Sequence, residues 1–243
     1  MNFLLKITLI GLFFGTFGTT IGGIIGVSIK NTSNKFLGFI LSFAAGLMLA
    51  VVCFDLIPES MEIGNMLNTI IGVIIGVICM IICDILVERK FSLSNKQNTL
   101  LRTGIIVGIG LALHNFPEGL AIGSSFDASI KLGYSLALAI CLHDIPEGIS
   151  MGIPMKNGGM KKSKVMFYII MSGVATGIGA LFGALIGEVS NKLIALSLAF
   201  AGGAMLYIVS GELIPEANSL YKGRTASIGT ILGFLIGIFA SSL

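Results

Sequence analysis

Apolar residues fall along this chain in eight long runs, at about residues 3 to 29, 36 to 57, 67 to 87, 103 to 126, 132 to 154, 165 to 187, 193 to 213 and 226 to 243, separated by short polar stretches. A helix needs about 20 consecutive apolar residues to cross a bilayer. The pattern therefore predicts an all-α membrane protein with eight transmembrane helices. The first run resembles a signal peptide, but it is roughly 27 residues long against 7 to 15 for an h-region, and no A-x-A-like cleavage site follows it. It is read as a span.

Of the 243 residues, 55% are hydrophobic and 11% are charged, against about 25% charged in soluble domains. This excludes a water-soluble globule and leaves little mass for a second domain, so residues 1–243 are read as one transmembrane unit. The net charge of +3 is small, and Lys and Arg lie in short loops, which gives nucleic-acid binding no support. The four Cys lie within apolar runs and none forms a CxxC pair, so neither a disulfide framework nor a zinc ribbon is suggested.

Positive charge sorts the loops. After helices 1, 3, 5 and 7 stand twelve of the fifteen Lys and Arg: Lys30, Lys35, Arg89, Lys90, Lys96, Arg102, Lys156, Lys161, Lys162, Lys164, Lys222 and Arg224. The opposite side has Lys6, Lys131 and Lys192. Because basic loops stay in the cytoplasm, both termini are placed outside, which an even number of helices requires.

The segment from Phe43 to Ser60 (FAAGLMLAVVCFDLIPES) matches that from Phe200 to Ala217 (FAGGAMLYIVSGELIPEA) at ten of eighteen positions, 157 residues apart. The same offset pairs Thr19 and Gly22 with Thr176 and Gly179, and Gly72 and Gly76 with Gly229 and Gly233. Helices 1 to 3 (residues 1–87) thus correspond to helices 6 to 8 (165–243), with helices 4 and 5 (102–154) between them. Five helices separate the two starts, so the triplets cross in opposite directions. This 3+2+3 inverted repeat is a common transporter architecture, with the substrate site near the midplane.

The central helices carry LHNFPEG, Leu113 to Gly119, and LHDIPEG, Leu142 to Gly148, which contain the only two His of the chain. His114 lies twelve residues after Arg102, and His143 twelve after Lys131. At 1.5 Å per residue each imidazole is roughly 18 Å from that charge, near mid-depth. His114 shares a helix face with Glu118, and His143 with Glu147, at spacing four; Asn115 and Asp144 flank those faces. Pro117 and Pro146 cannot bond the carbonyls of Leu113 and Leu142, so a bend is expected there.

Three carboxylates at this depth, Glu118, Asp144 and Glu147, cost about 2.5 to 3.5 kcal/mol each on the insertion scale. Lys and Arg are absent from that depth, which leaves a cation or protons to neutralise them. Imidazole nitrogen with carboxylate oxygen suits zinc, iron or manganese better than magnesium or calcium. An intramembrane metal-dependent hydrolase and a metal sensor are the competing readings. HxxPE is not the HExxH of a metalloprotease, and the sequence has no nucleophilic triad or nucleotide fingerprint.

At these residues the sequence resembles the bacterial type of the Zrt/Irt-like protein (ZIP) family of divalent metal transporters, over essentially the whole chain. The resemblance implies a multi-pass cell-membrane protein that takes up Zn2+, with Fe2+ and Mn2+ as the alternatives, as transported substrate into the cytoplasm, with no organic cofactor. It implies that His114, Glu118 and Glu147 bind one ion beside His143 and Asp144, and that Asn115, Glu118 and Asp144 would bind a second. Some relatives add a helix 6 Glu to the second site, where this chain has Thr176, so that site is expected to be weaker or missing. Asp55 and Glu59 of DLIPE would line the external mouth, and Glu212 and Glu216 of ELIPE the cytoplasmic one, with Asp55 and Glu212 the more buried of each pair. Met48, Met151 and Met205 are read as packing residues. The family mechanism is an elevator-like shift of helices 1, 4, 5 and 6 against helices 2, 3, 7 and 8. Whether the protein forms a homodimer is left open by the sequence.

Overall fold

In lipid every backbone polar group must be satisfied within the chain, so long apolar segments fold as helices. The computed structural model describes residues 3–29, 33–92, 99–187 and 190–241, with the side chains of residues 87, 88, 90–92, 99–111, 114 and 154 outside that description. Among the described residues the backbone forms eight helical rods: α1 (Phe3–Ser28), α2 (Asn34–Ile63), α3 (Met66–Ser92), α4 (Thr99–Ala128), α5 (Ile130–Asn157), α6 (Lys162–Gly187), α7 (Asn191–Leu220) and α8 (Thr225–Ser241). Six of them, α1, α2, α3 (to Leu86), α5, α6 and α7, are long and apolar enough to cross a membrane. Large apolar side chains cover the outside: Ile70, Ile74, Ile78 and Ile82 on α3 and Ile228, Leu235 and Phe239 on α8 are exposed. Such surfaces fit a hydrocarbon solvent.

Two rods run on past the expected ends. The runs expected at 36 to 57 and 193 to 213 continue to Ile63 and Leu220, each through a five-residue π-helical turn, Val52–Leu56 and Val209–Leu213. The cause is the Pro of the repeated LIPE. Pro58 and Pro215 have no N–H to donate; the residue before each, Ile57 or Ile214, donates instead to the carbonyl five back, of Val52 or Val209. Both rods begin alike too, with Ser33 accepting from Phe36 N–H and Ser190 from Leu193 N–H. The turn expected at about 88–102 is narrower, because α3 continues to Ser92 and α4 starts at Thr99. The α4 and α5 rods run unbroken through Pro117 and Pro146.

Glycine sets how the rods pair. A methyl group on Gly22 of α1 would strike the Ile145 carbonyl of α5, and one on Gly179 of α6 would strike the Phe116 carbonyl of α4. Gly76 of α3 and Gly233 of α8 press likewise on the backbones of Phe200 and Phe43. The register of these contacts shows α1 parallel to α5, α4 to α6, α2 to α8 and α3 to α7, whereas α1 and α6 are antiparallel, with Gly11 beside Ala180 and Gly23 beside Ile169. The most extensive packing falls within two groups: α1, α4, α5 and α6, and α2, α3, α7 and α8. The groups meet at the α4–α7 and α2–α5 contacts. Met48 and Met205 sit in the largest apolar cluster and Met151 in a second, all buried, in keeping with their reading as packing residues.

Candidate metal centre

The two central motifs are drawn together by the glycines of their neighbours. On α1, Gly18 lies against the Cys141 carbonyl and Asp144 of α5. On α4, Gly119, directly after Glu118, lies against the backbone of Thr176 on α6, and Gly15 of α1 faces the Thr176 side chain. Four rods thus close around one point. Asn115, Glu118, His143, Asp144 and Thr176 have no exposure to solvent, and Glu147 has 1%.

Within this enclosure His143 Nε2 donates to Glu118 Oε1 at 2.8 Å, and the same nitrogen is 3.7 Å from Asp144 Oδ1. Glu118, His143 and Asp144 each place one donor atom within 4.8 Å of the others, a spacing at which a single metal ion can be held. Glu147 follows His143 by one helical turn, with its carboxyl oxygens buried. The Asn115 amide and the Thr176 hydroxyl are also buried and have no hydrogen-bond partner among the described residues. Buried polar groups normally find one, so both are notable beside an acidic centre. The side chain of His114 lies outside the described residues.

One nitrogen and several carboxylate oxygens form a borderline donor set. It suits first-row divalent ions, whereas an all-oxygen shell would favour magnesium or calcium. The charge balance also favours a cation, because α5 has no Lys or Arg between Lys131 and Lys156 and α6 none between Lys164 and Lys192.

The residues expected at the mouths behave unequally. Asp55 is 6% exposed, sits in the π-helical turn of α2 and accepts a hydrogen bond from Ser241 Oγ of α8 at 2.7 Å. Glu59 is half-buried one turn further on. The expectation that Glu212 is the more buried of its pair is corrected: Glu212 and Glu216 are both exposed. In the π-helical turn of α7 Glu212 is exposed while Val209 and Leu213 are buried. Two polar contacts escaped the sequence reading. One is Ser241 beside Asp55. The other is Asp84 of α3, which accepts from Tyr207 Oη of α7 at 2.7 Å. Asp84 had a signal of its own, a carboxylate inside an apolar run; Ser241 had none, since serine near a helix end is commonplace.

Apolar rods that seal imidazole and carboxylates away from lipid are the build of a multi-pass membrane transporter. Residues 90–243 match the family model described as ZIP Zinc transporter, and the chain belongs to that family. It is 34% identical over 247 residues to the zinc transporter ZupT of Chlorobium limicola, with 93% of this chain and 92% of that protein covered. The zinc transporter GufA of Myxococcus xanthus is 40% identical over 141 residues, covering 58% of this chain and 56% of that protein. Zinc transporter ZIP11 of Xenopus tropicalis is 37% identical over 150 residues, covering 59% of this chain and 45% of that protein. The chain therefore spans about half the length of GufA and of ZIP11. These relatives are transporters and not enzymes, which leaves the hydrolase reading without support.

Proposed function

We propose that this protein takes up divalent metal ions, Zn2+ foremost, across the cell membrane into the cytoplasm through a site on α4 and α5. The observation that carries the reading is the meeting of Glu118, His143 and Asp144, fully buried, with donor atoms within 4.8 Å. Glu147 and His114 complete the first ion's shell in this reading. Asn115, Glu118 and Asp144 are the donors for a second ion, which the hydroxyl of Thr176 replaces poorly compared with a carboxylate. Zinc's place at the head of the list rests on the names of the relatives.

The inverted repeat is supported by contacts that recur at its offset; the reading of both termini as outside rests on the basic loops alone. Gly46 meets the Thr230 carbonyl and Gly203 meets that of Val73. Each pair maps onto the other when 157 is added to one residue and subtracted from its partner. An elevator-like shift is supported by where the glycine contacts fall. Among the described residues, every glycine-to-backbone approach between helices joins helices of the same group, as with Gly22 on α5 and Gly233 on α2. Between the groups the described contacts include branched side chains such as Leu37 against Ile149 and Ile153, a surface on which one group can slide.

Metal accumulation in sealed vesicles reconstituted with the whole protein tests the reading. Wild type should load Zn2+ and Glu118→Ala should not. Equal loading by the two would remove the site. Binding of metal with no flux through the bilayer would turn the protein into a sensor.

A further inference from the structure

Asp55 and Ser241 are 186 residues apart and belong to the paired rods α2 and α8, yet their side chains meet at 2.7 Å. Three features set this contact apart from an incidental one. The carboxylate is 6% exposed in a chain whose surroundings are hydrocarbon, where it needs a partner. It stands in a π-helical turn, Val52–Leu56, a geometry frequently found at functional sites. Its partner comes from a different rod at the very end of α8, so the bond cross-links the part of the transporter that the reading above keeps still. The position equivalent to Asp55 in the second half is Glu212, which is exposed. The position equivalent to Ser241 is Asp84, which is bonded to Tyr207. The carboxylate–serine pair is therefore a device of the outer half alone.

We propose that Ser241 is a positioning residue for metal uptake: its hydroxyl fixes the Asp55 carboxylate in α2, so that an arriving divalent cation meets a held acid group at the external mouth. This rests on the uptake reading above and adds a residue to it. A carboxylate with one oxygen tied to a neutral hydroxyl keeps its charge and loses rotamer freedom, and less of that freedom has to be given up when the ion arrives. Ser241 touches Asp55 and not the cargo, so its removal should weaken capture without slowing the later carrying step.

Initial rates of Zn2+ uptake into vesicles holding the whole protein are the test, for wild type, Ser241→Ala, Ser241→Thr, Asp55→Asn and the double variant Asp55→Asn with Ser241→Ala. Ser241→Ala is expected to raise KM roughly three- to tenfold, the range of one ordinary hydrogen bond, with maximal rate unchanged. Equilibrium Zn2+ binding to the detergent-solubilised protein at the interior centre should be unaffected. Ser241→Thr should restore the wild-type KM, and the double variant should match Asp55→Asn alone. An unchanged KM in Ser241→Ala, a fall in maximal rate and thermal stability in its place, or an effect that adds to Asp55→Asn would overturn the proposal. If wild-type vesicles take up no metal, the uptake reading itself falls and this inference with it; uptake by wild type with a normal KM in Ser241→Ala removes the inference alone.

Discussion

His143 Nε2 donates to Glu118 Oε1 at 2.8 Å, which ties α5 to α4 at the centre of the protein. The same two residues are metal donors in the proposed site. Without metal the bridge is made by a proton, and with metal the ion must take that proton's place. The pair is thus held in near-binding geometry, at small reorganisation cost, by the residues the ion will use.

Removing one member of this pair should separate binding from folding. Glu118→Ala leaves His143 with Asp144 as its nearest acid, at 3.7 Å, and removes an oxygen donor. Metal affinity should fall by about two orders of magnitude or more, beyond the 10- to 100-fold typical of an outer-shell partner. His143→Gln keeps a polar donor and should cost less. Competition with a zinc-sensitive dye measures both, and circular dichroism establishes that the helices persist. An unaltered affinity in Glu118→Ala would dismiss the site.

The exchange of proton for ion also gives pH dependence a sign. Imidazole must be deprotonated at the binding nitrogen and the carboxyls must be ionised before they can ligate. Affinity should therefore be highest above the ordinary imidazole range, near pH 6.5, and should decline as pH falls through it, by up to about tenfold per unit for each proton displaced. Titrations of Zn2+ binding from about pH 7.5 down to 5 give the slope. A flat profile would mean that His143 is not a ligand.

The helical rods and the central pair of motifs were legible in the sequence because each rests on a strong signal. Hydrocarbon admits only self-satisfied helices, so eight apolar runs become eight rods. His and Glu four residues apart share a face wherever the helix goes, and Glu118, His143 and Asp144 do meet. What was not legible lay in contacts that no spacing encodes. Ser241 reaches Asp55 only because α8 lies parallel to α2, and Tyr207 reaches Asp84 only because α7 lies against α3. Glu212 was misjudged because it occupies the register of Asp55. Both residues occupy equivalent π-helical turns, so the backbone does not tell them apart; Asp55 has Ser241 of α8 beside it, whereas Asp84, the counterpart of Ser241, is bonded to Tyr207.

Thr176 offers a gain-of-function test. Its hydroxyl is fully buried without a hydrogen-bond partner among the described residues, and it packs between Gly15 of α1 and Gly119 of α4. Thr176→Glu should add a carboxylate oxygen to the Asn115, Glu118 and Asp144 set and raise bound zinc from about one to about two ions per chain, by the charge and donor logic of metal sites. Elemental analysis of the purified protein against its measured concentration counts the ions. A ratio that stays at the wild-type value would show that the second site lacks more than this carboxylate.

The division into two groups of rods can be probed by tying them together. Within the first group Val27 of α1 and Val165 of α6 belong to one buried apolar cluster, so a thiol pair placed there joins helices that move as one body in the elevator reading. Leu37 of α2 and Ile153 of α5 belong to one apolar cluster that straddles the two groups. In a background with Cys53, Cys79, Cys83 and Cys141 replaced, the cross-linked pair Val27→Cys with Val165→Cys should retain most of the uptake of its reduced form. The cross-linked pair Leu37→Cys with Ile153→Cys should lose uptake by at least about tenfold and regain it when reduced, because a covalent tie is far stronger than any barrier the motion can cross. Zn2+ binding measured in detergent should survive in both, which separates a jammed carrier from a damaged site. Full uptake by the second pair while cross-linked would mean that the ion crosses without relative movement of the groups, as it would through a channel.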